Sequence, residues 1–161
     1  MTSITYGPYP QYFACGQDDG SVTIYDIANG KKVRKVYNHA NIAAVITLNW
    51  SPTGKYMASS DDNGRVIVKR LEQKGEDGKW AVFPCLDFRD QEPANEFCFN
   101  YNEKLVLISF PASDRVWNLK TKTQIWRRDR EPDLEEASTH CIPISWRLAN
   151  ISNLFSGILQ Y

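Results

Sequence analysis

The chain has 161 residues, of which 42% are hydrophobic and 24% charged, a composition typical of a globular domain with one core. The 19 basic and 19 acidic residues give a formal net charge of zero, which argues against a nucleic-acid binder with a basic surplus. No apolar run is long enough to cross a membrane.

Three segments in chain order share one pattern, a polar turn followed by a strand rich in β-branched residues. Residues 14–26 carry Asp-Asp-Gly in the turn, and residues 58–70 repeat the pattern without a gap roughly 44 residues later. Residues 109–118 form a third copy with a shorter turn. Glycine in the first two turns tolerates the positive φ of a tight hairpin, so each copy predicts two antiparallel strands.

A second marker recurs in the same phase. Residues 50–55 (Trp-Ser-Pro-Thr-Gly-Lys) and 99–104 (Phe-Asn-Tyr-Asn-Glu-Lys) each precede an apolar strand. Four antiparallel strands in a repeat of about 40–45 residues are what a propeller blade contains. In the middle unit the predicted strands are 43–49, 56–60, 66–71 and 80–87, with a polar loop at 72–79.

These residues resemble those of the WD-repeat family, in which a Gly-His pair precedes the first strand of a blade and a Trp-Asp pair ends the third. Asn38-His39 stands at the Gly-His position of the middle unit. The Trp-Asp position of successive units is held by Tyr25-Asp26, Lys69-Arg70 and Trp117-Asn118. No unit therefore contains the whole signature.

The resemblance implies a network that locks each blade, in which an Asp of the turn before the third strand hydrogen-bonds to the His. We expect His39 to take the role of the histidine. The other residues expected to lock blades are Asp19, Asn63, Asp114 and Trp117.

Residues 18–25 and 113–119 also look like blades of the large fungal WD-repeat proteins that often carry a NACHT nucleotide-binding module. The chain has no Gly-rich phosphate-binding loop that ends in Gly-Lys-Ser/Thr. Any such module would therefore lie outside this chain.

The predicted fold is all-β: WD-repeat-like β-propeller blades of four antiparallel strands, about three in number, in an incomplete propeller. We expect one domain, 1–161, with blades at 11–37, 38–89 and 94–130 and a partial blade at 140–161. The first blade is expected to lack its innermost strand, because only residues 1–10 precede it. Closed propellers contain about four to eight blades, so we expect the chain to be a fragment of a longer polypeptide. The alternatives are a unit that assembles with copies of itself and the product of a truncated gene prediction.

Several residues invite a catalytic or metal-binding interpretation, and a structural one is favoured for each. The Asp pairs of the turns lack EF-hand spacing, and Asp in a turn bonds its own backbone. His39 and His140 are each explained by a blade-locking position. The four cysteines contain no closely spaced pair, so we expect free thiols, no metal and no cofactor. Trp80 and Trp126 lie on predicted outer strands and are expected to be the exposed tryptophans.

The leading hypothesis is a non-catalytic scaffold that binds a protein or peptide partner across the turns on one rim of the propeller. The mixed charges of that rim favour such a partner over nucleic acid or a membrane. The residues expected to contact the partner are Asp18, Asp19, His39, Asn41, Asp61, Asp62, Arg89, Asp90 and Asp114.

Two alternatives stand beside this hypothesis. A propeller-based enzyme would need acids, bases or metal ligands near the central channel, and the predicted inner strands 43–49 and 97–100 are apolar or neutral. A structural fragment would self-associate through open blade faces. Residues 1–12 lack the pattern of a secretory signal, so the expected location is the cytoplasm, with the nucleus as the alternative.

Overall fold

The computed structural model describes residues 1–7, 11–37, 39, 42–74 and 79–130. All of them belong to one compact unit, Met1–Glu131. A second unit, Pro132–Tyr161, contains the predicted partial blade 140–161 and His140, which lie outside the described residues. No helix in the described part is both long and apolar enough to cross a membrane.

The described strands form three four-stranded antiparallel sheets, which we call blades 1 to 3. Blade 1 contains β1 (Ser3–Tyr6), β2 (Tyr12–Gly16), β3 (Ser21–Asp26) and β4 (Lys32–Tyr37). Blade 2 contains β5 (Val45–Trp50), β6 (Tyr56–Asp61), β7 (Arg65–Lys74) and β8 (Lys79–Arg89). Blade 3 contains β9 (Glu96–Phe99), β10 (Leu105–Ser109), β11 (Ser113–Asn118) and β12 (Thr123–Asp129). The prediction of an all-β fold with four-stranded blades is confirmed, and the described blades do not close into a ring.

The repeated turn sets the register of the middle strands in blades 1 and 2. Gly64 ends the β6–β7 turn with a φ of 76°, a left-handed conformation that glycine adopts without steric strain. Ala58 consequently pairs with Val68, and at the equivalent place in blade 1 Ala14 pairs with Ile24. All four of these paired side chains are fully buried. The repeat in the sequence is therefore also a repeat of the core packing.

Blade 1 has an inner strand, so the expectation that it lacks one is wrong. β1 pairs along its length with β2, beginning with Ser3 opposite Gly16, and the blade therefore starts at Ser3. Hydroxyls hold this strand against blade 2, since Thr2 and Ser3 both donate to the carbonyl of Val45, at 2.6 and 2.9 Å. The short strand carries none of the markers that repeat in the other blades, which is why the sequence pattern did not indicate it.

Each blade is tied at both edges by backbone hydrogen bonds that recur at equivalent positions. At one edge, which we call the lower edge, the third strand is tied to the turn between the first two: Ile27 N–H to Gln11 O (2.8 Å), Leu71 to Lys55 (2.7 Å) and Leu119 to Lys104 (2.9 Å). At the upper edge, the end of each blade is tied to its β-turn: His39 N–H to Gly20 O (3.1 Å), Asp90 to Gly64 (2.9 Å) and Arg130 to Ala112 (2.9 Å). The turns of three blades are thus aligned on two opposite edges.

Two apolar clusters fill the spaces between neighbouring blades. The cluster between blades 1 and 2 is formed by Ala14, Val22, Ile24, Val45, Leu48, Met57, Leu71 and Trp80. The cluster between blades 2 and 3 is formed by Ala58, Val66, Val68, Leu86, Ala94, Phe97, Phe99, Val106, Ile108, Phe110 and Leu119. Each blade therefore depends on its neighbour for burial of an apolar face, as expected for repeat architectures.

Trp80 is buried, with 7% of its surface exposed, so the prediction that it is an exposed tryptophan is wrong. The β7–β8 hairpin is unusually long, with strands of 10 and 11 residues. Near its tip the Trp80 ring meets Tyr12 of blade 1 edge-on, with ring centroids 5.6 Å apart, and Trp50 at 6.3 Å. An outer-strand residue becomes core here because the hairpin reaches the neighbouring blade.

Candidate functional site

His39 joins blade 1 to blade 2 at the upper edge. Its backbone N–H donates to Gly20 of blade 1, while its ring lies against blade 2. Nδ1 is 2.9 Å from Oδ2 of Asp61, and Nε2 is 3.0 Å from Oγ of Ser59. The side chains of His39 and Asp61 are essentially inaccessible to solvent.

The hydrogen bonds of this network assign its protons. A carboxylate only accepts, so Nδ1 of His39 carries the hydrogen given to Asp61, and Nε2 accepts from the Ser59 hydroxyl. Burial is the largest influence on the pKa of His39 and lowers it below its ordinary value; the Asp61 carboxylate partly opposes this, and the charges of Arg65 and Lys69 add to it. The ring is therefore neutral, and the network acts as a structural lock rather than as an ion pair.

Asp61, and not Asn63, is the partner of the histidine. Its second oxygen, Oδ1, accepts from the backbone N–H groups of Asn63 (3.0 Å) and Arg65 (2.8 Å). Asp61 ends β6 and points into the blade junction, whereas Asn63 lies in the turn with its side chain in solvent. The predicted contact of His39 and Asp61 with a partner is also corrected, because buried side chains engaged in this way are not available at the surface.

Asp19 and Asp114 bond no histidine among the described residues, and each accepts hydrogen bonds within its own blade. Hydrogen bonds from Ser21 and Lys35 lower the pKa of Asp19 to about 2. Asp114 accepts from the guanidinium of Arg130 at 2.6 Å. Both carboxylates keep a solvent-facing side, so their expected contact with a partner stays a prediction.

Trp117 joins blades 2 and 3 by packing. Its ring stacks on Phe88 of blade 2, with centroids 4.5 Å apart and planes inclined by 19°. At the equivalent position of blade 2 stands Lys69, which is half-buried, and burial lowers its pKa. In the described part of the chain the contact of Trp117 with its neighbouring blade is this stacking, and its role in locking a blade stays a prediction.

The predicted contact residues that remain on the surface share the upper edge, and we call them the upper rim. Asp18, Asp62 and Arg89 are exposed, and Asp90 is partly buried. Asn41 lies outside the described residues. The members of the upper rim are Asp18, Asp19, Asp62, Arg89, Asp90 and Asp114.

An ion pair between Asp90 and Arg115 connects blade 2 to blade 3 under the upper rim. Both side chains are more than four-fifths buried, with 16% and 13% of their surface exposed. The Arg115 guanidinium also lies 4.5 Å from the ring centroid of Phe110. The connection between these blades is therefore held by side chains of the chain itself.

The inner strands use their polar side chains to join the blades. On β5, the Thr47 hydroxyl donates to the carbonyl of Ala94 at 2.8 Å, and the Asn49 amide donates to Phe97 at 2.9 Å. Among the described residues, no three His, Cys, Asp or Glu side chains converge to hold a metal ion. The chemistry that this part of the chain shows is hydrogen bonding between blades.

Three residues that make these hydrogen bonds were not predicted from the sequence: Ser59, Arg115 and Arg130. Ser59 lies two residues before Asp61 on the same face of β6, which strand periodicity could have indicated. The two arginines carry no comparable signal, because their partners come from a turn or a connection distant in the sequence.

Residues 30–68 match the WD40 family (WD domain, G-beta repeat). The match runs from the residues before β4 of blade 1 into β7 of blade 2 and includes His39, Ser59 and Asp61. The matched segment therefore spans parts of two blades and contains the buried histidine network.

Similarity to characterised proteins extends over a small part of their length. The chain is 35% identical over 65 residues to transcription initiation factor TFIID subunit 5 of Caenorhabditis elegans, covering 40% of this chain and 10% of that protein. It is 25% identical over 115 residues to apoptotic protease-activating factor 1 of Homo sapiens, covering 71% of this chain and 8% of that protein. The chain thus spans about a tenth or less of these curated relatives.

A solved propeller has the same arrangement of blades. The β-propeller domain of Cps50 (Swd1) from Myceliophteria thermophila matches with a TM-score of 0.67 at 14% identity, over 79% of this chain and 40% of that chain. Identity this low shows the fold alone, which is that of a β-propeller.

Proposed function

We propose that this chain is a non-catalytic interaction module that binds a protein or peptide partner across the upper rim. The observation that carries the proposal is the alignment of the β-turns of three consecutive blades on one edge, each tied by its own backbone hydrogen bond. Turns that are already ordered lose little conformational freedom on binding, which favours affinity.

The charges of the upper rim support a protein partner recognised by local complementarity. Asp18 and Asp62 project from the turns of blades 1 and 2, while Arg89 adds a positive charge between blades 2 and 3. Mixed charges of this kind steer association and select partners more than they add raw affinity. A polyanion or an anionic membrane would meet repulsion from the carboxylates.

Site-specific photo-cross-linking tests the proposal. A benzoylphenylalanine placed at Asp62 or at Arg89 is expected to trap the same protein in cells, whereas the probe at Gln124, exposed on the outermost strand of blade 3, is not. The trapped protein is then purified and titrated against the unmodified chain. Equal trapping at all three positions, or no binding by the purified protein, would refute the upper rim as a binding site.

Charge-neutralising variants test the contact itself. We expect Asp62→Asn to raise the Kd of the purified partner by about 2–10-fold and to reduce the salt dependence of its association rate, as for a charge at the rim of an interface. The matched control is Asp26→Asn, which removes a carboxylate from the lower edge and preserves the oxygen that accepts from Ala28 at 2.8 Å. An equal effect of the two variants would contradict a contact at Asp62.

We also propose that the chain forms part of a larger propeller of the kind found in NACHT-associated fungal WD-repeat proteins, on the likeness of residues 18–25 and 113–119. Its coverage of 40% of a solved propeller supports the larger assembly. Sequencing of full-length transcripts tests this proposal: further blades in the same reading frame are expected, and transcripts that end with this chain would contradict it.

Self-association through an open face of blade 1 is favoured by a specific observation. Ser3 of β1 contacts blade 2, so the alternate residues Ile4 and Tyr6 point to the opposite side, where they are 52% and 75% exposed. Light scattering over a dilution series is expected to show reversible multimers that Ile4→Lys weakens. A monomer at all concentrations would exclude this role.

A cytoplasmic location, with the nucleus as the alternative, completes the proposal. Cys15, Cys85 and Cys98 are free thiols, which suits a reducing compartment. A fluorescent fusion of the chain distinguishes these compartments from a secretory one.

A further inference from the structure

We propose that the lower edge of blades 2 and 3 is a second docking surface, which binds an acidic peptide segment of a partner protein. The surface lies opposite the upper rim and extends the chain's binding role to another face. It consists of the exposed residues Lys55, Tyr101, Lys104, Lys120 and Lys122, which we call the lower patch.

Hydrogen bonds between the blades bring the turns of the lower patch together. The backbone N–H and the hydroxyl of Thr53 donate to the Glu103 carboxylate at 2.8 and 2.7 Å, which joins the β5–β6 turn of blade 2 to the β9–β10 turn of blade 3. Within blade 3, Leu119 N–H donates to the carbonyl of Lys104, so the β11–β12 turn lies beside it. The lysines of three turns therefore share one surface.

The surroundings of Cys85 on β8 agree with this geometry. Burial raises the pKa of its thiol, while a hydrogen bond with the backbone of Arg70 and the positive charges of Arg70, Lys122 and Lys55 oppose that rise. Lys122 belongs to blade 3 and Lys55 to blade 2, so lysines from both blades lie near this one side chain.

Two described glutamates near the lower patch are already engaged. Glu103 is buried and accepts both hydrogen bonds of Thr53. Glu72 pairs with Arg70 at 3.1 Å. Four exposed lysines face solvent at this edge, and neither of these two glutamates pairs with them.

The turns that carry the lysines are ordered by their own side chains. The Asn102 side-chain oxygen accepts from the Lys104 N–H at 3.1 Å, and that of Asn118 accepts from the Lys120 N–H at 2.9 Å. Ordered turns present their charges at fixed positions, so a ligand does not have to order them on binding.

The chemistry of the lower patch selects an acidic peptide over the other polyanions. Lysine offers a point charge that pairs with carboxylates, whereas surfaces that bind single-stranded nucleic acid combine their positive charge with several aromatic rings on which bases stack. Tyr101, 97% exposed, is the single aromatic residue of the patch. The upper edge exposes Asp18, Asp62 and Glu92, and these charges repel a polyanion long enough to wrap the blades.

Fluorescence anisotropy with a fluorescein-labelled polyglutamate peptide tests the proposal on the intact chain. We expect binding at low ionic strength that weakens as salt screens the charges. The double variant Lys104→Glu/Lys120→Glu should raise the Kd at least about 10-fold, because it reverses two charges of the patch. The matched control, Arg127→Glu/Arg128→Glu, makes the same change of net charge near the upper end of β12, outside the upper rim, and should leave the Kd within about 2-fold.

Each contrary outcome overturns the proposal. If polyglutamate does not bind at low salt, the lower patch is not a docking surface for acidic peptides. An equal loss of affinity in the two double variants would show that only the overall charge of the chain matters. Tighter binding of oligothymidine than of polyglutamate assigns the lower patch to nucleic acid instead. All substituted residues are exposed, and matching thermal transitions check that the variants fold. This experiment does not use the upper-rim partner, so its result is independent of the cross-linking at Asp62.

Discussion

Removal of the Asp61 carboxylate is the perturbation that best tests the buried histidine network. In Asp61→Ala three donors lose their acceptor: Nδ1 of His39 and the backbone N–H groups of Asn63 and Arg65. A buried donor without an acceptor costs about 1–3 kcal/mol. The His39 ring bears the full penalty, whereas the amides of the turn can bond to water. We therefore expect the free energy of unfolding to fall by about 2–4 kcal/mol.

Asp61→Asn is the discriminating variant, because a neutral histidine can adapt to it. The amide oxygen can replace Oδ1 for the turn, and the amide nitrogen can donate to Nδ1 if the ring changes tautomer and Nε2–H donates to Ser59. The free energy of unfolding should then fall by less than about 1 kcal/mol, which is near the net contribution of one hydrogen bond.

Urea unfolding followed by tryptophan fluorescence measures both variants, at a pH well above the ordinary histidine pKa of about 6.5. The control is Asp62→Ala, the exposed neighbour in the same turn, which should stay within about 0.5 kcal/mol of the unmodified chain. If Asp61→Asn costs as much as Asp61→Ala, the ring is charged and the neutral network is refuted.

Three further outcomes are expected. Because the pKa of His39 is lowered in the folded state, its stabilising effect is complete above about pH 6.5 and is lost as the pH falls through the folded-state pKa. In His39→Gln the urea midpoint should therefore depend less on pH in this range. A pH profile identical to that of the unmodified chain would contradict the assignment. In Gly64→Ala the new Cβ would stand 2.5 Å from the carbonyl oxygen of Asp90 at a positive φ, so we expect a loss at least about 1 kcal/mol larger than in Gly30→Ala, which has a positive φ and no atom within 4 Å. Glu103 has a φ of 55°, so Glu103→Ala should be less stable than Glu103→Gly by about 0.5–1 kcal/mol, although both lose the carboxylate; equal urea midpoints would show that the backbone is unstrained.

The parts of the fold that could be predicted are those in which local chemistry repeats. The turn that ends in Gly64 and the strand after it have the same residue types as their counterpart in blade 1, so equal spacing predicted equal register. β1 repeats no such chemistry. Its position depends on Thr2 and Ser3 reaching a carbonyl of the next blade, and a hydroxyl near one end of a chain does not indicate that contact.

The residue predicted to bond His39, Asn63, lies two positions from the observed partner, Asp61, and the error has a physical origin. Asp61 and Asn63 both belong to a polar turn, and both residue types accept hydrogen bonds from turn amides. Only the end of β6 decides which of them points into the blade junction, and strand ends are the least certain feature of a sequence pattern. The predicted exposure of Trp80 was wrong for a related reason, since the extra length of the β7–β8 hairpin places this residue against blade 1.

The net charge of zero conceals a separation that follows from the topology of a meander. Successive turns of an antiparallel sheet lie at opposite edges, so the turns after the first and third strands of each blade share the lower edge. In the described part of blades 2 and 3 those turns supply Lys55, Lys104, Lys120 and Lys122, whereas the upper edge carries both signs, with Asp18 and Asp62 beside Arg89. The net charge of zero argued against a nucleic-acid binder with a basic surplus, but a sum over the chain averages the two edges. Once four strands are assigned to a blade, alternate turns can be compared directly, and the lysines of the turns after β5, β9 and β11 can then be assigned to one edge from the sequence.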